Sequence, residues 1–279
     1  MLDNSPPTLK FCPLASGSKG NSYWVEYGET TLLVDAGLSY RRLSARVEEI
    51  GRSMEQVDHI FITHEHNDHV QALAQILKRH RPVLWASGGT LRAIRKQIVD
   101  GARVRMMNSQ EEQVGEFVVK SIPISHDAVE PFAYRFDVPG ASLAILTDLG
   151  EWTGEILKEV GGVDALICEA NHDPDMLEKG VYPFVLKRRI ASTRGHLSNQ
   201  EGAELAAKTV ELGARCVVLG HISESNNSPS LALDVFEKAI ERRGLSAKLD
   251  VAMQDRPGPW VEVRVAGNLK NGVSEQQRA

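Results

Sequence analysis

Residues 63–70 read Thr-His-Glu-His-Asn-Asp-His-Val and follow directly on the apolar run His59–Ile62. In an extended strand exit, His64 and His66 point the same way, because side chains repeat every two residues. Asn67 is then placed to cap a following helix, with Asp68 and His69 in its first turn. Four side chains of metal-ligand type thus converge within one short loop. Imidazole and carboxylate suit zinc and neighbouring divalent ions, and so many potential charges are buried comfortably only beside a cation. The expected chemistry is that of a metal centre.

One loop cannot complete the shells of two ions, so further histidines and a bridging carboxylate are expected at later strand ends. His126 follows the apolar stretch VVKSIPIS, Asp148 follows SLAILT, and His221 follows CVVLG. Each stands where a buried strand emerges, which is where layered α/β folds place site residues. Several other residues are candidates for phosphate contact. Ser16, Ser18 and Asn21 lie in a small-residue loop whose glycines allow close backbone approach. Asn226, Asn227 and Ser228 precede a helix whose free N–H groups could receive an anion. Lys187–Arg189 and Arg194 form a basic run just before His196 that could hold a phosphodiester backbone. Tyr182 and Phe184 could stack on a base, with core packing the favoured reading, and His59, His80 and His172 read as peripheral, His172 in Asn171-His-Asp173 being the one of the three to follow.

The elements that must position these residues alternate between strand-length apolar runs and helix-length amphipathic stretches, a layered α/β pattern. NSYWVEY and TTLLVDA form a hairpin across Gly28-Glu29. A helix near Tyr40–Ile50, the strand DHIFIT, a helix from about Asp68 to Arg79, the strand PVLWA and a helix over Thr90–Val99 follow. EFVVKSIPI, FAYRFDV and SLAILTD read as successive antiparallel strands of a second sheet, and DALICEA as another strand. Ser198 to Glu201 has the pattern of a capping box, and Ser228-Pro229 opens a further helix. Residues 1–10 read as an extension, 11–265 as one domain and 266–279 as a polar tail.

The chain has 279 residues, 42% hydrophobic and 25% charged, with a formal charge of −5. No apolar run approaches the ~18 residues of a membrane span, so no membrane association is expected. The acidic balance speaks against an overall basic nucleic-acid-binding surface without excluding a local one. MLDNSPPTLK lacks the pattern of a secretory signal, and a cytoplasmic location is expected. Cys12, Cys168 and Cys216 sit in or beside apolar runs, as buried reduced thiols do.

With these motifs in hand, the sequence resembles the metallo-β-lactamase superfamily. Asp35 in LVDAG, THEHNDHV, SHD, TDLG and GHIS match its five motifs in order, across about Phe11 to Trp260. Within that superfamily ASGSKGNSYWVE, NHDPDML, YPFVLKRRI, GHLSNQEGA and GHISESNNSP are most similar to the YycJ/WalJ-type exonucleases, with a further likeness to transfer-RNA 3′-processing endonucleases. The resemblance implies a four-layer αββα sandwich of two mixed sheets flanked by helices. It implies that His64, His66 and His126 hold one divalent ion, that Asp68, His69 and His221 hold a second, and that Asp148 bridges them, with zinc, manganese or iron as the metal. A hydroxide shared by the ions would be the nucleophile, oriented by Asp68, and Asp35 would support the histidine loop without touching metal. His196 would protonate the leaving oxygen. The implied activity is that of a phosphodiesterase, a 5′-to-3′ DNA exonuclease acting on nucleic acid. Hydrolysis of a cyclic phosphodiester, lactone or thioester at the same centre is the alternative. An iron-dependent oxidoreductase or a degenerate scaffold fits less well, because the ligand set is complete and no flavin domain follows.

Overall fold

Gly28-Glu29 is a two-residue turn between paired Tyr27 and Thr30, and it folds β2 (Ser22–Tyr27) onto β3 (Thr30–Val34) as the sequence suggests. The computed structural model describes residues 7–108 and 111–263. Its first strand, β1 (Leu9–Ala15), begins two residues before the expected start of the domain, and the polar tail from 266 lies outside the described residues. After β3 come α1 (Tyr40–Glu49), β4 (His59–Phe61), α2 (Asn67–Val70), α3 (Leu73–Arg79), β5 (Val83–Ser87), α4 (Gly88–Ala93) and β6 (Arg103–Met107). The second half runs β7 (Glu111–Val114), β8 (Phe117–Pro123), β9 (Phe132–Val138), β10 (Ala141–Leu146), α5 (Gly154–Val160), β11 (Ala165–Glu169), α6 (Pro174–Lys179), α7 (Phe184–Ile190), α8 (Asn199–Glu211), β12 (Cys216–Gly220), α9 (Pro229–Glu241), β13 (Lys248–Val251) and β14 (Val261–Val263).

Two seven-stranded mixed sheets result, in the orders β14-β1-β2-β3-β4-β5-β6 and β13-β12-β11-β10-β9-β8-β7. β3 to β6 are mutually parallel, as are β10 to β13. One apolar cluster fills the space between the sheets, a second packs α5, α8 and α9 on the second sheet, and a third packs α1 and α3 on the first. The arrangement is the expected four-layer αββα sandwich. No described helix is long and apolar enough to cross a membrane. Cys12 and Cys168 are buried and Cys216 is half-buried, all free, and burial pushes the Cys12 thiol up to about 12.

Three local expectations are corrected. The helix expected over Asp68–Arg79 is broken between α2 and α3, where the Ala72 N–H leaves the helical ladder for the Ala36 carbonyl at 2.9 Å. His66, with extended backbone, takes the cap position of α2 in place of Asn67. α4 starts at Gly88 under a Ser87 side-chain cap and ends at Ala93, short of Val99.

Phe61 ties the core to the loop that follows it. Its ring stacks on Trp85 at 5.8 Å and meets Tyr134 and Phe136 edge-on at 5.2 and 5.6 Å. Removing it leaves a cavity between two sheets that cannot easily close. Phe61→Ala is expected to cost about 3–5 kcal/mol in urea unfolding; a loss below about 1 kcal/mol would mean that the inter-sheet layer collapses into the space.

Candidate metal centre

Strands β3, β4, β8, β10, β11 and β12 all deliver polar residues at their carboxyl ends, and these ends meet along one rim. Three of the four non-glycine residues with left-handed backbone among the described residues lie there: Asp35 (φ 60°), Asp148 (φ 59°) and His221 (φ 53°). That conformation costs about 1–2 kcal/mol per residue for an L-side chain. It turns each side chain sharply out of its strand into the site.

Three overlapping groups have ligand atoms within 4.8 Å of one another: His64, His66 and His126; His64, His69 and Asp148; and Asp148, Glu169, His196 and His221. Asp148 joins them. Its Oδ2 lies 3.1 Å from His69 Nε2 and 3.3 Å from His221 Nδ1, and its Oδ1 lies 3.8 Å from His126 Nε2. Both Asp148 Oδ2 and His221 Nδ1 are buried with no partner in hydrogen-bonding geometry. A buried carboxylate oxygen and a buried imidazole nitrogen left open in this way suit a divalent cation.

The opposite ring nitrogens are engaged. Asp35, fully buried, accepts from the Thr63 N–H at 2.9 Å and faces His69 Nδ1 at 2.8 Å, which leaves His69 Nε2 toward the cluster. Asp35 therefore supports the loop by contact with His69. His126 Nδ1 lies 3.1 Å from the Gly195 carbonyl, and His196 Nδ1 lies 2.8 Å from Glu169 Oε1. Such partners fix which nitrogen carries the proton. Burial holds His64 well below its usual value, with the neighbouring His69 adding to the effect, and burial lowers His126 too. Burial alone would depress His69, yet the Asp35 and Asp148 carboxylates hold it well above its usual range. His196, likewise opposed by burial, is pushed up to about 9 by Glu169 and Asp148.

Other expected residues are placed differently. Asp68 sits beside the cluster, its Oδ2 3.6 Å from His69 Nε2, but belongs to none of the three groups. Ser16 Oγ accepts the His221 N–H at 2.7 Å and pairs with the Tyr23 hydroxyl. Asn21 binds both backbone groups of Gly17 and reaches His69 Nε2 at 3.1 Å. Asn227 and Asn199 exchange two amide hydrogen bonds, and Ser228 caps α9. These side chains are spent on protein partners. Asn226 is buried with its amide unpartnered, and Ser18 remains exposed at the mouth.

Most of the basic run also has protein partners. Arg189 binds Asp127 at 2.5 Å, Lys187 donates to the Glu178 carbonyl, and Arg194 reaches the His126 carbonyl at 3.3 Å. Arg188 instead lies over the Phe184 ring at 5.8 Å. Phe184 is 71% exposed, against its expected place in the core, and Val181 and Val185 are exposed beside it. His172, expected at the periphery, is buried, and its backbone bridges to Ser198. His59 and His80 bond Trp85 and Tyr40 far along the sheet.

Sequence reading misses Glu169 and Asp127. Glu169, fully buried, accepts the Leu149 N–H and holds His196. Asp127 Oδ1 lies 3.3 Å from His126 Nε2. A carboxylate closing the apolar run ALICE carries the same strand-exit signal as Asp148.

Fold and cluster together define a metal-dependent hydrolase, and the chain belongs to the beta-lactamase superfamily, whose domain model matches residues 30–222. Within it, the chain is 35% identical over 252 residues to the exodeoxyribonuclease WalJ of Streptococcus pneumoniae serotype 2 (strain D39), covering 88% of this chain and 94% of that one. It is 33% identical over 239 residues to the exodeoxyribonuclease YycJ of Bacillus anthracis, covering 85% and 90%. The metallo-β-lactamase-fold protein YhfI of Bacillus subtilis superposes with a TM-score of 0.72 at 16% identity, covering 91% of this chain and 99% of that one, a likeness of fold.

Gly37 holds the loop together by close approach: a Cβ there would collide with the Asp68 carbonyl oxygen, while its N–H bonds the Asn21 carbonyl. Gly37→Ala should therefore lower stability by about 2–4 kcal/mol and reduce bound metal. Thermal unfolding and elemental analysis check this, and an unchanged melting temperature together with full metal content would contradict it.

Proposed function

We propose that this chain is a binuclear metal-dependent phosphodiesterase acting on nucleic acid, a 5′-to-3′ DNA exonuclease. The carrying observation is Asp148, whose two oxygens face different histidines, Oδ2 toward His69 and His221 and Oδ1 toward His126. His64, His66 and His126 would hold one ion and Asp68, His69 and His221 the other, with Asp148 between them. Divalent ions held there supply positive charge to the phosphoryl oxygens and make a nearby water more acidic. Asp68, part-exposed beside His69, is placed to take up and orient a proton of the attacking water at its carboxylate. His196, fixed through Nδ1 by Glu169, has Nε2 left to protonate the leaving oxygen. Asp35 holds His69 in the required orientation.

A small cavity of about 190 Å³ opens between Ser18, Asp127, Tyr182, Leu186, Arg189 and His196. Phe184 and Arg188, exposed on the same helix α7 and in cation–π contact with each other, suit a base and a backbone phosphate outside this cavity. The names of the relatives, both exodeoxyribonucleases, support this substrate class. Reduced, buried thiols and a DNA substrate agree with a cytoplasmic location.

The deciding measurement is turnover of metal-loaded protein on end-labelled single- and double-stranded DNA, RNA and bis-p-nitrophenyl phosphate. Activity confined to lactones or thioesters would overturn the proposal. His196→Ala should keep its metal content and slow DNA turnover by about 10²–10⁴-fold; loss of metal instead would make His196 a ligand. Phe184→Ala should weaken single-stranded DNA binding by about 1–3 kcal/mol in a titration and leave hydrolysis of bis-p-nitrophenyl phosphate unchanged. Equal binding by variant and wild type would remove the stacking role.

A further inference from the structure

A second cationic feature lies away from the cluster. Residues 78–105 carry eight lysines and arginines against one acid, Asp100, inside a chain whose formal charge is −5. The fold gathers part of this excess around a groove of about 590 Å³ between the end of α3 and the segment 96–102. Lys78, Arg81 and Lys96 line it together with Asp100, so cations outnumber acids there by three to one; all three cations are exposed, and none forms an ion pair among the described residues. Arg103 stands alongside, its guanidinium donating to the Arg81 carbonyl at 2.7 Å. Arg81 and Ala102 directly precede β5 and β6, whereas His64 follows the carboxyl end of the parallel strand β4. The groove therefore lies at the opposite edge of the sheet from the metal centre.

Backbone conformation singles out the same place. Arg81, at φ 55°, is the fourth non-glycine residue with left-handed backbone among the described residues, and the other three all face the metal centre. Such strain persists where the surroundings enforce it and collects at functional positions. Lys78, Arg81 and Lys96 around one groove give it a local excess of positive charge that a polyanion would offset. None of the large exposed apolar side chains, Phe184 and Val181 among them, lines the groove, so the apolar face that an interfacial membrane anchor needs is missing here.

We propose that this groove is a second nucleic-acid contact, holding the phosphodiester backbone of the substrate at a distance from the cleavage site. The inference rests on nucleic acid being the substrate class, and it adds an anchoring surface that the metal centre does not include. A strand or duplex held at both edges of the sheet would stay associated between cleavage events. Recognition here would be of backbone charge and independent of sequence.

The test compares wild type with Lys78→Gln/Arg81→Gln/Lys96→Gln as full-length, metal-loaded proteins. Binding of a cleavage-resistant phosphorothioate DNA duplex with a single-stranded end is titrated across salt concentrations, next to turnover of bis-p-nitrophenyl phosphate. The triple variant is expected to bind DNA at least tenfold more weakly at low salt, with the slope of log affinity against log salt shallower by about 2–3, and to turn over the small substrate normally. Arg81→Gly, which suits the left-handed backbone, should keep or raise the melting temperature while weakening DNA binding, which separates charge from folding. Equal DNA binding by wild type and triple variant overturns the anchoring site alone. Loss of binding to phosphatidylglycerol vesicles with DNA binding intact overturns it in favour of a membrane. A wild type that hydrolyses bis-p-nitrophenyl phosphate but neither binds nor cuts DNA overturns the nucleic-acid reading, and this inference with it.

Discussion

Asp148 is buried, and its two oxygens are directed at different imidazoles; the surrounding architecture follows from keeping that arrangement tolerable. A carboxylate and several imidazole rings packed out of water are costly unless each ring's remaining nitrogen has a fixed partner. The chain supplies those partners from the protein interior: Asp35 for His69, the Gly195 carbonyl for His126 and Glu169 for His196. Each of these partners comes from a different segment than the ring it holds. The open nitrogens are consequently aimed inward by contacts on their far sides.

The motif around His64 and the strand-end positions of His126, Asp148 and His221 are legible in the sequence because few structural roles place an ionisable ligand at the end of an apolar run. The hairpin, the long capped helices and the central strands are equally visible, since their periodicity is strong. β6, β7 and β13 are not, because RVRMM, EEQV and KLDV are polar, half-exposed strands at or next to sheet edges, where no buried face imposes alternation. The break after α2 is invisible for a different reason: a hydrogen bond to Ala36, distant in sequence, outweighs good local helix propensity. Glu169 carries the same signal at the end of ALICE, but as the last residue of its strand it is easily taken for the strand's polar close, and only its contact with His196 sets it apart.

Charge is the least transparent property. The run at Lys187–Arg189 and Arg194 has the composition of a phosphate cradle, yet Arg189 and Arg194 brace Asp127 and the His126 loop, leaving chiefly Arg188 for an outside partner. The stretch from Lys78 to Arg105 is masked within a net-acidic chain, although its cations remain largely unpaired. A formal total averages over such regions, while a polyanion responds to the local field within about 10 Å at moderate salt.

The left-handed backbone at Asp35, Asp148 and His221 sets a limit on how robust this molecule can become. Glycine adopts this conformation without the steric cost, so relief of backbone strain alone would favour glycine at all three positions. Each, however, carries a side chain that glycine cannot replace. Durability and reactivity therefore compete at the same three residues, and gains in hardiness have to be sought on the helical faces and outer loops.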